Sequence, residues 1–121
     1  MLRWLRERFK RFAATLSKGR GNRSPQVVFR KVVVTETPPS VTTVMANTFY
    51  VVAPQSMVKW TMFSCPCGCG EVITLSLQRI HNPTWNLEMT KSGRASLHPS
   101  VWRTTGCRSH FWIKDGQVFW A

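Results

Sequence analysis

Acidic side chains are scarce in this chain. Its 121 residues carry 5 Asp and Glu against 17 Lys and Arg, a formal net charge of +12. A surface so short of negative charge attracts nucleic acid, anionic lipid or an acidic protein. The imbalance is uneven, however. Residues 1–31 hold ten of the basic side chains and a single acid, Glu7. The charge therefore describes mainly an arm, and a high pI is weak evidence that the body binds nucleic acid. Long apolar runs are also missing. No stretch reaches 18 apolar residues, which excludes a membrane-spanning helix. The N-terminus has no apolar core of a secretory signal, since charges interrupt it every two or three residues, although its Arg-rich, acid-poor pattern matches that of an organelle transit peptide. There is no repeat on the 20–50 residue scale, which excludes a solenoid. Without an export signal the expected location is the reducing cytoplasm, where cysteines tend toward metal binding or catalysis.

What is present is globular. Hydrophobic residues make up 43% of the chain, with 6 Trp and 7 Phe, enough for one small core. The expected organisation is a basic amphipathic helix and linker over residues 1–24, followed by a small β-rich domain over 25–121. Leu2, Leu5, Phe9, Phe12 and Leu16 recur at helical spacing, with Arg3, Arg6, Lys10 and Arg11 on the other face. Gly19 is a plausible stop. Such a helix suits an anionic membrane surface, a partner protein, nucleic acid, or docking on the protein's own body. From Val27 onward the pattern is β. Runs at 27–34, 48–52, 58–63, 71–77 and 84–89 read as strands, and "SHFWI–KDG–QVFW" reads as a hairpin around an Asp-Gly turn. The fold class is mostly β, a small zinc-stabilised antiparallel domain of six to eight strands with one N-terminal helix.

Three of the 4 cysteines crowd into "SCPCGCG" as Cys65, Cys67 and Cys69, while Cys107 stands alone. Spacing by two places three sulfurs on one face of a strand, but Pro66, Gly68 and Gly70 favour a tight knuckle. Four thiolates satisfy a tetrahedral zinc. The spacing departs from the usual C-x₂-C pair, so a disulfide with leftover thiols, a catalytic cysteine and plain packing remain open. His110 or His81 offers a substitute ligand. Glu71 and Lys59 read as solvated surface.

A second group lies in "SLHPSVWRTTGCRSHFWI". Ser109 and Phe111 flank His110, so on a strand they point away from it, which makes Ser109 a poor proton partner. Ser100 is the better candidate. Pro99–Ser100 reads as the opening of a helical turn, where free N–H groups favour a nucleophile and its oxyanion. His110 then serves as base. The bland readings are a helix cap for Ser100 and a core or ligand histidine for His110. Asp115, in the hairpin turn, is expected to face solvent, which leaves no acid to orient the histidine.

"CPCGCGEVITL", "TWNL", "SLHPSV", "GCRSHFWI" and a final "VFW" occur in this order over roughly residues 47–121. The combination resembles the BubE-like family of small bacterial proteins encoded beside ubiquitin-like proteins and their conjugating enzymes. The resemblance implies a peptidase that matures or removes a ubiquitin-like protein in a pathway of defence against phage. It carries over to Cys65, Cys67, Cys69, Cys107, Ser100, Ser109 and His110. The resulting expectation is a Ser100 nucleophile, a His110 base, and structural Zn²⁺ on the four cysteines. The partner is a ubiquitin-like protein or its conjugates, with no small-molecule cofactor. The expected location is cytoplasmic, with peripheral membrane contact through the N-terminal helix as an added option. The alternative is a non-catalytic zinc-binding β module that binds a partner protein or nucleic acid.

Overall fold

A computed structural model describes residues 26–121. The amphipathic helix and linker predicted over residues 1–24 lie outside the described residues. Among the described residues there are eight strands and two three-residue 3₁₀ turns, Val41–Thr43 and Pro54–Ser56. The strands form two four-stranded sheets. The first contains β1 (Lys31–Thr35), β2 (Thr48–Val52), β3 (Trp60–Ser64) and β4 (Val72–Ser76), neighbours in that order. The second contains β5 (Asn86–Met89), β6 (Ala95–Trp102), β7 (His110–Lys114) and β8 (Gln117–Trp120).

The mostly-β reading holds, but the domain is not wholly antiparallel. β1 runs parallel to β2, with Lys31 opposite Thr48 and Thr35 opposite Val52. A tight turn cannot make such a pair. The connection over residues 36–47 is long enough to carry the chain back to the starting end of the sheet. The remaining pairs are antiparallel.

Both sheets share one core. Phe29, Phe49 and Phe63 pack as an aromatic trio with centroids 4.4–5.4 Å apart, and Phe63 meets Phe111 of the second sheet edge-on at 6.5 Å. Ile73, Leu75, Leu97, Val101, Ile113 and Val118 complete it, together with Cys65. Each fully buried Phe contributes roughly 2–3 kcal/mol of transfer free energy. Alternation then decides the rest. Phe111 and Ile113 are 0% and 2% exposed, so His110 and Trp112 must face outward. Val101 is 3% exposed, which turns Ser100 and Trp102 outward as well.

The β7–β8 turn locks these layers together. Asp115 and Gly116 take φ of 49° and 73°, the left-handed pair that suits an Asp-Gly hairpin. The Gly116 carbonyl accepts from the Val28 and Phe29 amides at 2.9 and 3.0 Å, and its own amide donates to the Ala95 carbonyl at 2.8 Å. Asp115 is not turned to solvent. It accepts from Thr90 and Ser92 hydroxyls at 2.6 Å and pairs with Arg94 Nη2 at 2.9 Å. Burial opposes its charge, yet these donors prevail and hold the carboxyl down to about 2.

Candidate active site and metal centre

Ser100 stands inside β6, not at the start of a helical turn. The helical reading treated Pro99 as a first helical residue. In the structure the chain stays extended and absorbs the proline in a bulge. Between Leu97 and Val101, β6 advances four residues while its partner advances only two, from Ile113 to Phe111. Bulges re-aim side chains and recur beside active sites. The extra length brings Ser100 Oγ within 3.0 Å of His110 Nε2. The helix-start oxyanion groups expected from sequence are therefore not supplied.

Two indoles bracket the imidazole. Trp102, directly opposite His110 in the strand register, stacks on it with centroids 5.0 Å apart and planes 14° apart. Trp112 adjoins it at 5.3 Å. Among the described residues no carboxylate pairs with His110; Asp115 is engaged with Arg94 and Glu71 with Arg103. Contact with two indoles restricts the orientation of the imidazole ring.

Ser100 is itself tethered from a residue that sequence reasoning passed over. The indole Nε1 of Trp85 donates to the Ser100 carbonyl at 3.2 Å. Trp85 is anchored by its own amide, which donates to the Ser76 carbonyl at 2.9 Å. Ser76 is buried, and its hydroxyl bonds His81 Nδ1 at 2.5 Å and accepts from the Gln78 amide at 3.1 Å. His81 also stacks on Trp60. This second serine–histidine pair closes the loop after β4. Its hydroxyl is buried and doubly engaged, so it is structural.

The cysteine knuckle forms as expected. Gly68 and Gly70 both take φ of 87°, a conformation that costs a side-chain-bearing residue about 1 kcal/mol or more. The Cys65 amide donates to the Glu71 carbonyl at 2.8 Å, closing the loop. The four sulfurs of Cys65, Cys67, Cys69 and Cys107 lie within 4.8 Å of one another, and all four are free thiols rather than a disulfide. Cys65 Sγ is 3.4 Å from Cys67 Sγ and 3.7 Å from Cys107 Sγ. Tetrahedral zinc–thiolate bonds of about 2.3 Å imply sulfurs about 3.8 Å apart, so the donor set fits. Neither His110 nor His81 joins the cluster, which the four cysteines alone make up; His110 Nε2 meets Ser100 and His81 Nδ1 meets Ser76 instead.

The charge pattern around the sulfurs is suited to thiolates. Ser109 turns away from His110, as alternation requires, and places its hydroxyl 3.2 Å from Cys107 Sγ and 3.9 Å from Cys65 Sγ. That hydroxyl is the main reason the Cys107 thiol falls to about 6, and it lowers Cys67 as well. Burial pushes Cys65 up to about 12. At Cys69 the backbone at Glu71 pulls downward, but the neighbouring thiols prevail and raise it. Glu71 is more than solvated surface, since its Oε1 meets Arg103 Nη2 at 2.7 Å. Burial opposes the Arg103 charge, yet Cys65 and Glu71 hold its proton more firmly than usual. Its Nη1 is buried without a partner, a donor suited to an anionic sulfur cluster.

Dyad and sulfurs thus occupy opposite faces of the same strand entry, with Cys107 and Ser109 inward and His110 outward. Among the described residues no helix is long and apolar enough to cross a membrane. No curated protein and no solved structure matches the chain. The family model of the bacterial ubiquitination-like system serine proteases matches residues 33–121, the span that holds both the dyad and all four cysteines. The chain belongs to this family, BubE.

Proposed function

We propose that the protein is a serine-type peptidase that cleaves after the C-terminus of a ubiquitin-like protein, or removes that protein from its conjugates, within a bacterial pathway of defence against phage. One observation carries the reading: Ser100 Oγ stands 3.0 Å from His110 Nε2 on an outward sheet face, within reach for proton transfer. Ser100 Oγ attacks the carbonyl carbon preceding the scissile bond, and its proton passes to Nε2. The tetrahedral intermediate collapses as His110 returns the proton to the leaving amine, leaving an acyl-enzyme. Water then attacks the ester, giving its proton to Nε2, and Ser100 is released with its hydroxyl restored. Nε2 must be unprotonated at the start, so the ring proton sits on Nδ1. Trp102 and Trp112 keep the ring plane aligned through these transfers.

Cys65, Cys67, Cys69 and Cys107 would hold zinc, whose four filled positions supply folding energy rather than a bound water. Around it, Arg103 offsets negative charge and Ser109 donates toward sulfur. Ser100→Ala is the test. It should reduce kcat on a ubiquitin-like protein carrying a C-terminal extension by about a thousandfold or more, with about one zinc per chain retained by metal analysis. Undiminished cleavage refutes the assignment, and zinc retention with no turnover by the wild-type protein supports a binding module instead.

A further inference from the structure

We infer that the outward face of β7 and β8 is the docking surface for the chain's own N-terminal segment, whose apolar stripe Leu2, Leu5, Phe9, Phe12 and Leu16 lies over Trp112 and Phe119. The inference stands on packing and does not depend on the peptidase reading. The ladder sets Phe119 opposite Trp112. Because Phe111 and Ile113 turn inward, Trp112 and Phe119 both point away from the core. Phe119 is nevertheless only 6% exposed, and it is not a member of the core cluster. Other outward residues of this sheet behave differently, since Asn86 and Glu88 of β5 and His98 of β6 are exposed. Trp112, Lys114 and Phe119 share the outward face of β7 and β8, and none of the three is without a partner. A sheet face that is open at one side and buried at the other has chain lying over its buried side.

The direction of the chain identifies that occupant. Val27 bridges Gln117 in the antiparallel sense. β8 runs from Gln117 to Trp120, so the chain before Val27 comes in along β8 from the Trp120 end. Residues 17–26 separate Leu16 from Val27, and when extended they span roughly 35 Å. β8 itself is about 14 Å long, so the stripe can reach any part of this face. Its dimensions fit as well. At helical spacing Leu2 to Leu16 covers about 21 Å along a cylinder about 10 Å across, enough to lie over two strands about 4.8 Å apart. An apolar stripe of this kind needs an apolar surface to cover it, which Trp112 and Phe119 provide. Arg3, Arg6, Lys10 and Arg11 fall on the opposite face of the same spacing, so docking buries no charge. Trp112 also adjoins His110 at 5.3 Å, and the docked segment therefore borders the Ser100–His110 pair.

The test uses the full chain with the photo-cross-linker p-benzoylphenylalanine in place of Phe9, which keeps an aromatic ring at that position. Isotopically light and heavy protein are mixed before irradiation, and the cross-linked peptides are read by mass spectrometry. The expected result is attachment within one chain, to the segment 110–121. In a second measurement, hydroxyl-radical footprinting compares the wild-type chain with one carrying Phe9→Asp and Phe12→Asp. Loss of the covering contacts should raise labelling of Phe119 about fivefold or more. Trp102, already 67% exposed, and Phe63, at 0% in the core, should keep their labelling. Attachment between light and heavy chains overturns the inference and assigns the face to a second copy. Attachment of position 9 outside residues 110–121 overturns it too, as does unchanged labelling of Phe119 in the substituted chain.

Discussion

Trp85→Phe removes the indole hydrogen-bond donor and shrinks the ring. The ring remains to pack against the core, where Trp85 is partly buried, while the Ser100 carbonyl loses its 3.2 Å partner. An acceptor left without a partner costs about 1–3 kcal/mol when fully buried. Ser100 and Trp85 are both half-buried, so water can reach the carbonyl and the lower end applies. The smaller ring adds a packing loss of similar size. Stability should therefore fall by about 1–2 kcal/mol, read as a lower midpoint in urea with an unchanged slope. The effect on catalysis should be larger than that on binding. Ser100 sits in a bulge with two more residues than the opposing strand, so the bond from Trp85 is what fixes the residue along the bulge. A drift of 1 Å in a reacting group can lower the rate about a hundredfold. A fall in kcat of about ten- to a hundredfold is expected, with KM within about twofold, in a fusion-cleavage assay at a temperature where the variant is fully folded. Equal kcat in the two proteins, with the stability loss present, would show that the bond is only structural and refute the positioning role.

Gly116→Ala should be among the most damaging single changes. A Cβ there would stand 2.3 Å from the Phe29 carbonyl oxygen and 2.8 Å from Arg94 Cδ at φ +73°, so the hairpin turn must release the Val28 and Phe29 amides; a loss of about 3 kcal/mol or more is expected in urea unfolding, and less than 1 kcal/mol would contradict it. Zinc affinity should fall as pH falls, because the metal must displace protons from thiols that include Cys65, pushed up to about 12, and below about 6 also from Cys107. Competition with a chelating indicator should show about a tenfold or greater change per pH unit, and a flat profile would exclude a thiolate site. Asp115 has its carboxyl lowered from 3.8 to about 2. Its stabilisation is therefore complete above about pH 4 and disappears as pH falls toward 2. Its side chain is 33% exposed, so after discounting for screening the contribution is about 1 kcal/mol. Asp115→Asn should lower stability by that amount at pH 7, with the difference from wild type shrinking to a small fraction by pH 2 and vanishing below it.

The cysteine knuckle was legible because count, spacing and glycine placement are local properties that survive without the fold. The β7–β8 hairpin was legible for the same reason, since an Asp-Gly turn sits between two alternating runs. Ser100 was legible as a candidate but not in its setting. Pro99 within eight residues of strand looks like a break, and only the partner strand reveals the two-residue excess that accommodates it. The parallel pairing of β1 depends on where residues 36–47 carry the chain, which no periodicity encodes. Trp85 escaped notice because its partner lies 15 residues away and is a backbone carbonyl, invisible to side-chain patterns. Ser76 illustrates the reverse problem. Alternation puts it on the same face as Val72 and Thr74, opposite Ile73 and Leu75, yet it is 7% exposed because the following loop folds over it to reach His81.

On the proposed reading, the position of the sulfurs relative to the Ser100–His110 pair gives a structural metal a task. The dyad spans two strands, and its geometry is only as good as the alignment of β6 with β7 at the end where Ser100 and His110 meet. That end has little hydrophobic support of its own, since Trp102, Thr104, Thr105 and Gly106 are exposed. What fixes it is polar. The Arg103 amide, one residue beyond Trp102, bonds the Ser109 carbonyl, one residue before His110. The Arg103 guanidinium pairs with Glu71 at the exit of the knuckle, and the Ser109 hydroxyl contacts Cys107 Sγ. A metal drawing Cys107 onto Cys65, Cys67 and Cys69 would join the loop between β6 and β7 to the β3–β4 knuckle, whose Cys65 belongs to the hydrophobic core. Such a metal would not need to touch substrate to matter for the proposed reaction. It would hold the strand entry in place from the inward face, while the hydroxyl and imidazole meet on the outward one.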